Sequence, residues 1–569
     1  MKTIKYIIIT LILVSGTSCN ENDFLDETPL EFYSINDSYN TIAQFDKALV
    51  DLYGRVRYIR YSGNMGSFAL LSATDIAYAG RKAQNQFGNY DVELNPTSST
   101  VAFQWDNWYK VIANANTILS RLPNAEEVSV EDKTRIEAEA RFFRGLSYRY
   151  LVYLYGGVPI VLDEIATPTN DFVRASKEEI LLQIRDDLEY AAMNLNSIGE
   201  VEDGHVSSIV AGHYLGETYI SLGLFDDAIA ALTNVINDPS VSLMTGRFGV
   251  KANEDPHDRF LTLGPGDVYW DLFRPGNQNR SGGNLEALWV AQMETDVIGG
   301  FVVTTSRSNN PLEFWAGHAG WDNAIDPDGK QGMTGKIMST YNEGSGFGVG
   351  LMANTDYYLQ EVWQSDWDND IRNAPHNIVR DIYYNNPSSA YYGKSAAKGP
   401  FRSSTYDATN WRYYDWPSKI STPGDHPDAL FENKETLVLS SAVTGSTFRD
   451  MYYLRLAETY LLRAEAYFHN GNLTNAAGDI NAVRERSNAK AITGADVSID
   501  YILDERAREL VYEEPRRIIL HRLGLLVERV RKYNFLNSDE IKDYHGLWPI
   551  PNSAIEANIG ATLEQNPGY

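Results

Sequence analysis

Two stretches of the chain, separated by more than two hundred residues, follow the same helical pattern. The first runs from Ser208 to Pro239 and the second from residue 454 to residue 487. Both alternate small and large residues at the spacing of a tetratricopeptide-like helical hairpin. The residues of this pattern are Ala211, Leu215, Tyr219, Gly223, Phe225 and Ala228 in the first stretch, and Ala457, Tyr460, Ala464, Ala466, Tyr467, Gly471 and Ala476 in the second. Because hairpins of this kind bury their apolar faces by stacking, the sequence predicts a helical stack interrupted by a long insertion. Two ordinary helix pairs are the alternative.

Further helices are predicted before the first of these stretches. Apolar residues recur three or four positions apart from Glu131 to Tyr155, and the glycine pair that follows ends the pattern. Ser176 and Glu179 have the spacing of a capping box and mark the start of another helix. The predicted fold is therefore mainly α, with tetratricopeptide-like hairpins as the scaffold.

The insertion between the two stretches has a different composition. Residues 247–447 are rich in Gly, Asn, Asp, Pro and aromatic residues, and runs typical of strands, such as EALWVAQM, are short. The insertion holds eight of the eleven tryptophans. Long irregular loops on a rigid frame commonly carry binding surfaces. We therefore predict a helical region at 35–246, a loop-rich aromatic insertion with short strands at 247–447, and a helical region at 448–569 that packs on the N-terminal helices.

The N-terminus has the features of a secretory leader. Lys2 and Lys5 precede an apolar run, small residues follow up to position 18, and the run is too short to span a bilayer. Cys19, the single cysteine of the chain, comes next and has no partner for an internal disulfide. The pattern resembles a bacterial lipoprotein box and predicts a signal peptide at 1–18 and a lipidated tether at 19–34. Ordinary cleavage near Cys19 is the alternative.

The charge balance restricts the class of partner. The chain has 49 basic and 76 acidic residues and a formal net charge of −27. Such a surface repels nucleic acid and anionic lipid, so neutral ligands or cations are the compatible partners. After the leader, no stretch approaches the length of apolar sequence that a transmembrane helix needs.

Motifs for catalysis or metal binding are absent or incomplete. The histidines lie singly and form no HExxH motif, so His318 is interpreted as a hydrogen-bonding residue. Asp366, Asp368 and Asp370 alternate as in a calcium loop, but the glycine and glutamate that an EF-hand requires are missing. There is also no Walker motif and no GxSxG. The sequence therefore assigns no catalytic residue, no metal and no cofactor. A catalytic pair of acidic residues, as in glycoside hydrolases, has no fixed spacing in sequence and stays open as an alternative.

Several longer segments resemble a known family. They include WDNWYKVIANANTIL and AEARFFRGLSYRYLVYLYGGVPIV in the first half, and YYLRLAETYLLRAEAYFHNGN, ILDERARELVYEEPRRIILHRLG and LWPIPNSAIEANIGATLEQNPGY in the last third. These segments, in this order, are similar to the SusD/RagB family of outer-membrane lipoproteins of Bacteroidetes. The resemblance extends over nearly the whole chain after the leader.

This resemblance implies a function and its partners. It implies a mostly helical protein, anchored on the cell surface in the outer membrane by lipid at Cys19, that captures a glycan without catalysis. It also implies delivery of the glycan to a SusC-like TonB-dependent transporter. A surface glycoside hydrolase and a peptide-binding or structural surface antigen of the same family are the alternatives.

The resemblance and the aromatic insertion together suggest ligand-binding residues. Asp75 and Arg81 match positions where a glycan-binding member of the family uses an acidic and a basic residue. Further candidates lie in regions that correspond to the family's binding site, or are aromatic residues whose rings could stack on a sugar. For each tryptophan among them, packing in the core is the alternative. These candidates are Tyr78, Phe103, Trp105, Trp315, Trp321 and Trp363. Trp315 and Trp321 belong to one irregular loop, at 309–327.

Overall fold

The computed structural model describes most of the chain that follows the predicted tether. The described residues are 38–63, 65–80, 87–294, 297, 311–318, 325–333, 348–396, 414–421, 424–435, 438–439, 447 and 449–569. The leader, Cys19, Arg81 and Trp321 lie outside the described residues, so the predictions made for them stay predictions.

Helices dominate the described residues, and the predicted fold class is confirmed. In the first half, the helices are α1 (Ile42–Tyr61), α2 (Met65–Phe68), α3 (Tyr90–Glu93), α4 (Ser99–Arg121), α5 (Val130–Tyr155), α6 (Lys177–Asn194), α7 (Ser208–Ser221) and α8 (Phe225–Ile236). The insertion contributes the short helices α9 (Val268–Leu272), α10 (Leu312–Ala316) and α11 (Asp356–Leu359). The last part contains α12 (Leu456–His469), α13 (Leu473–Arg486), α14 (Ile499–Leu510), α15 (Arg516–Arg522), α16 (Leu526–Tyr533) and α17 (Asn552–Ala557).

The strands are short and form four antiparallel pairs in the described residues. They are β1 (Ala77–Ala79), β2 (Ala287–Ala291), β3 (Met352–Asn354), β4 (Ile378–Val379), β5 (Trp416–Pro417), β6 (Phe431–Asn433), β7 (Val438–Leu439) and β8 (Met451–Arg455). The pairs are β1 with β3, β2 with β8, β4 with β5, and β6 with β7. The β2–β8 pair joins the insertion to the segment that leads directly into α12, and both of its strands are buried.

Local signals set the helix ends that the sequence predicted. Ser176 and Glu179 form the predicted capping box at the start of α6. Helix α5 ends at Gly156, whose φ of 73° lies in the left-handed region where a side chain would be strained. Gly223 and Gly471 both have a φ of 75° and occupy the turns of the two predicted hairpins. The two hairpins thus share their turn geometry.

The two hairpins pack directly on each other in spite of their separation in sequence. Helices α4 to α8 pack consecutively, and α8 then packs against α12, which in turn packs against α13 and α14. A small apolar cluster of Ile220, Ala228, Leu232, Leu462 and Ala466 fills the contact between the hairpins. The helical stack is therefore continuous, and the insertion leaves it after α8 and returns at α12. The residue boundaries of the insertion stay a prediction.

The described residues contain no helix that combines the length and the apolar composition needed to cross a membrane.

Candidate functional site

Asp75 is the centre of a buried ion cluster. Its carboxylate is 0 % exposed and accepts hydrogen bonds from Arg516 at 3.0 and 2.7 Å and from Arg529 at 2.7 Å. Burial alone would raise the pKa of Asp75, but the two guanidinium groups outweigh this effect and lower the pKa to about 2. A ligand would reach this carboxylate only by displacing one of the arginines. In this conformation Asp75 links the N-terminal part of the chain to α15 and α16.

Several of the predicted residues lie around α2, β1 and β3. Tyr78 belongs to β1, which pairs with β3, and α10, which carries Trp315, packs against β3. The ring of Trp315 contacts Phe68 of α2, with 5.4 Å between the ring centroids. Phe103 lies against Gly66 of α2. The structure therefore brings Tyr78, Phe103 and Trp315 into one region of the molecule, next to the ion cluster of Asp75.

These aromatic side chains are mostly covered by protein. Tyr78, Phe103 and Trp315 are 8, 9 and 3 % exposed, respectively. Trp363 lies elsewhere, is 1 % exposed and donates its indole hydrogen to the carbonyl of Tyr358 at 2.6 Å. Trp315 and Trp363 are buried, as the alternative of core packing predicts. A ligand contact at Tyr78, Phe103, Trp315 or Trp363 stays a prediction.

Trp105 lines a groove with a predominantly apolar surface. The groove has a volume of about 430 Å³ and lies between α4, the connection from α5 to α6, and α17. Tyr109, Phe172 and Leu563 belong to the same surface, and eleven of the sixteen lining residues are apolar. Trp105 is 7 % exposed. Because sugar hydroxyls need several hydrogen-bonding partners, this groove is less suited to a glycan than a mixed surface would be.

A second groove, in the insertion, is lined by polar and aromatic residues together. It has a volume of about 570 Å³, and seven of its fifteen lining residues are polar. Trp367 lies at this groove and is 40 % exposed, whereas every other tryptophan of the described residues is buried. The polar lining of the groove includes Asp368, Asn369, Asp381 and Asn488. We refer to this surface as the Trp367 groove.

The neighbours of Trp367 hold its ring in place. The guanidinium of Arg380 lies over the indole, with 4.7 Å between its central carbon and the ring centroid. Asn373 donates to the carbonyl of Trp367 at 2.8 Å and accepts from Arg380 at 2.5 Å. Arg380 also donates to the carbonyl of Leu359 at 2.8 Å. One face of the indole is thus covered by a fixed cation, and the exposed remainder of the ring is preorganised.

The alternating aspartates before and after Trp367 serve the local fold. Asp366 accepts a hydrogen bond from Asn369 at 2.8 Å and another from the backbone of Lys490. Asp370 caps a short 3₁₀ helix and pairs with Arg372 at 2.7 Å. Within the described ranges, no group of three His, Cys, Asp or Glu side chains is placed to hold a metal ion. Two of these aspartates therefore form the turn that presents Trp367.

His318 lies two residues after α10, the short helix that the structure forms within the segment predicted to be an irregular loop, and it is fully buried. It is 0 % exposed, and its ring lies 4.6 Å from that of Trp416. Its surroundings contain aromatic rings, which fits a packed residue better than a metal ligand.

Acidic residues of α14 and of the turn that follows it form a buried network. Glu509 bonds to Arg372, Arg455 and Arg486, which come from the insertion, β8 and α13. Glu505 pairs with Arg372 as well, and Glu513 pairs with Arg455. These carboxylates are paired with cations, so the network holds the insertion against the helical stack.

Sequence reasoning missed Trp367, although a local signal was present. In the segment SDWDND the tryptophan is flanked on both sides by aspartate. A ring between two charged residues in an irregular segment is poorly placed for burial. The alternation of aspartates in this segment resembles a calcium loop, and this resemblance says nothing about the exposure of the tryptophan.

Two family profiles match the chain. The profile described as the SusD family matches residues 327–569, and one described as starch-binding, associating with outer membrane, matches residues 23–209. Together they cover both ends of the helical stack. The chain belongs to the SusD family.

Individual members of the SusD family agree with this assignment. SusD-like protein P25 of Formosa agariphila is 24 % identical, over 98 % of this chain and 97 % of its own length. The starch-binding protein SusD of Bacteroides thetaiotaomicron is 36 % identical over 124 residues, which are 21 % of this chain and 22 % of that protein.

Solved structures of SusD-like proteins share the fold. A SusD homologue from Bacteroides thetaiotaomicron has a TM-score of 0.65 at 18 % identity, covering 94 % of this chain and 98 % of its own. Surface glycan-binding protein A from the same species, solved in complex with laminarihexaose, has a TM-score of 0.64 at 16 % identity, covering 92 % of this chain and 99 % of its own.

Proposed function

We propose that this protein is a cell-surface lipoprotein that captures an oligosaccharide or polysaccharide and passes it, without cleaving it, to a SusC-like TonB-dependent transporter. The observation that carries the proposal is the Trp367 groove. There, a fixed indole ring with a partly exposed surface lies among carboxylate and amide side chains. A sugar presents a flat apolar face and a rim of hydroxyl groups, and this groove offers a complement to both.

The charges of the groove favour an uncharged glycan. The guanidinium of Arg380 is already bonded to Leu359 and Asn373 and stacked on Trp367. Asp368 and Asp381 add negative charge to the same surface. A sulfated or uronic-acid-rich glycan would meet these carboxylates without a matching cluster of arginines. The net charge of −27 adds to this repulsion.

The relatives support the glycan as the class of ligand. One similar protein is named for binding starch, and a similar structure was solved with laminarihexaose. The family profile at residues 23–209 is described as associating with the outer membrane. These names support the proposed ligand class and the proposed location of this chain. The proposal of a transporter as partner rests on the resemblance of the sequence to the family.

Substitution of Trp367 tests the proposal. We expect wild-type protein to bind at least one neutral glycan in a panel, and Trp367→Ala to weaken that binding by about tenfold, because the stacking surface is lost. Isothermal titration calorimetry measures both affinities, with sulfated glycans in the panel as the charge comparison. Phe535→Ala is the matched control, because Phe535 is 59 % exposed and packs edge-on against Tyr78, in the other predicted region.

Each other outcome contradicts a stated part of the proposal. Undiminished binding by Trp367→Ala together with a loss in Phe535→Ala would locate the ligand near Tyr78. Release of shorter products from a bound glycan would show a hydrolase. Binding of peptides but of no glycan would favour the peptide-binding alternative.

A further inference from the structure

A second group of aromatic rings lies next to the Trp367 groove. Phe260 stacks on Tyr383, with 5.5 Å between the ring centroids and an angle of 25° between the ring planes. Tyr392 meets Phe260 edge-on at the same centroid distance of 5.5 Å. Tyr392 is 44 % exposed, which places it with Trp367 among the most exposed aromatic side chains of the described residues. We call Phe260, Tyr383 and Tyr392 the Tyr392 cluster.

Backbone hydrogen bonds hold the part of the chain that carries the two tyrosines of the Tyr392 cluster. Tyr383 forms an antiparallel bridge with Ser395, and the backbone of Tyr384 bonds to that of Lys394 and Gly393 at 3.0 and 2.9 Å. These bonds close a small hairpin that carries both tyrosines. Gly393 has a φ of 71°, which a larger residue would adopt only with strain.

Asp381 connects the cluster to the Trp367 groove. It lines the groove, and its carboxylate accepts hydrogen bonds from the hydroxyl of Tyr383 at 2.8 Å and from Ser395 at 2.6 Å. Its neighbour Arg380 lies on Trp367. Because three residues of extended chain span at most ~10 Å, the path from Arg380 to Tyr383 is short. Leu261, next to Phe260 in sequence, also lines the groove.

From this arrangement we infer that the Tyr392 cluster is a second stacking surface of the same cleft. The cleft then holds an extended, uncharged oligosaccharide in at least two subsites, one on Trp367 and one on Tyr392. Asp381, which lines the groove and is bonded to Tyr383 of the cluster, then accepts hydrogen bonds from sugar hydroxyls in addition to those of Tyr383 and Ser395. This inference rests on the proposed glycan-binding function.

Two subsites predict a dependence of affinity on chain length. A short oligosaccharide occupies the Trp367 subsite alone, whereas a longer one reaches both rings. The affinity of wild-type protein is therefore expected to rise with length up to the point where both subsites are filled. Loss of one exposed aromatic contact corresponds to about a 2- to 10-fold change in affinity.

The test uses calorimetry with a series of oligosaccharides of increasing length, derived from a neutral glycan that wild-type protein binds. Tyr392→Ala is expected to leave the affinity for the shortest ligand unchanged and to weaken that for the longest by about 2- to 10-fold. Trp367→Ala is expected to weaken binding at every length. Tyr392→Phe keeps the ring and is expected to behave like wild type. Tyr58→Ala removes a ring that is 50 % exposed on α1, outside the groove, and is expected to have no effect.

Two results would overturn the inference while leaving the proposed function intact. One is an affinity of Tyr392→Ala for the longest ligand equal to that of wild type. The other is a wild-type affinity that does not change with length. By contrast, failure of wild-type protein to bind any glycan would contradict the proposed function itself, and the second subsite with it.

Discussion

At the scale of single residues, burial separates the aromatic side chains that hold the fold from those that face solvent. Among the described tryptophans of the insertion, five are 4 % exposed or less, and Trp367 alone is 40 % exposed. A sequence shows how many rings there are but not which ones are covered. The same applies to charge, because Asp75 is an acidic residue in a loop-like sequence and yet lies in the core.

Substitution of Asp75 is expected to lower stability rather than affinity. Asp75→Asn removes the buried carboxylate that Arg516 and Arg529 share and leaves them only their other acidic partners. Removal of one partner from a buried ion pair typically costs about 3–5 kcal/mol of unfolding free energy. Chemical denaturation followed by circular dichroism measures the change. Asp186→Asn, at a carboxylate that is 55 % exposed, is the control, with an expected change below about 1 kcal/mol. A variant of normal stability that has lost glycan binding would instead support the predicted ligand contact.

The depressed pKa of Asp75 also gives this stabilisation a pH dependence. The pKa of the carboxyl group falls from its ordinary value of 3.8 to about 2 in the folded protein, which corresponds to about 2 kcal/mol. Since the folded pKa is the lower one, the contribution is fully present above a pH of about 4–5 and is lost as the pH falls towards 2. The difference in stability between wild type and Asp75→Asn is therefore expected to shrink in the same range.

At the scale of elements, close approach of helices explains the small residues of the hairpins. A Cβ at Gly216 in α7 would lie 2.5 Å from Cγ of Leu232 in α8. Leu232 is 0 % exposed and belongs to the apolar cluster in the contact between the hairpins. Gly216 is therefore required by packing, although glycine weakens a helix.

A matched pair of glycine substitutions tests this explanation. Gly216→Ala is expected to lower the unfolding free energy by about 1–2 kcal/mol, because the overlap with Leu232 outweighs the better helix propensity of alanine. Gly478 lies in α13 with no neighbouring atom within 4 Å of an added Cβ. Gly478→Ala is expected to raise stability by up to about 1 kcal/mol. Denaturant midpoints compare the two, and a stabilising Gly216→Ala would contradict the packing argument.

At the scale of the whole molecule, the helical stack and the insertion form one structure. Helix α8 packs on α12, and the β2–β8 pair and the buried ions around Glu509 hold the insertion to the same helices. The Trp367 groove is built partly on this junction, since Asn488, which follows α13, lines it. A groove supported in this way is expected to keep its shape in the absence of a ligand.

The proposed anchor is tested with the intact chain in membranes. If Cys19 carries lipid, Cys19→Ala is expected to move the protein from the membrane fraction to the soluble fraction, since acyl chains provide most of the attachment. Cys19→Ser is the second variant, and fractionation followed by immunodetection is the measurement. Full retention of both variants in membranes would contradict lipidation. Recovery of the tagged chain from mildly solubilised membranes without a transporter would contradict the proposed partner.

The sequence by itself determined the class of fold, the end of α5, the start of α6, the two related hairpins and the resemblance to the family. These features depend on local spacing, on caps such as Ser176 and on glycines such as Gly223, all of which can be recognised in a short window. That the two hairpins belong to one helical stack also followed from the sequence, because a hairpin of this type needs a neighbour.

Only the tertiary structure decided which rings and charges are available to a ligand. Exposure depends on contacts between residues far apart in sequence, as between Asp75 and Arg516 or between Trp315 and Phe68. Spacing along the chain does not show such contacts. For this reason the predicted residues Tyr78, Phe103, Trp315 and Trp363 are largely covered in the structure, while Trp367 and Tyr392 are 40 and 44 % exposed.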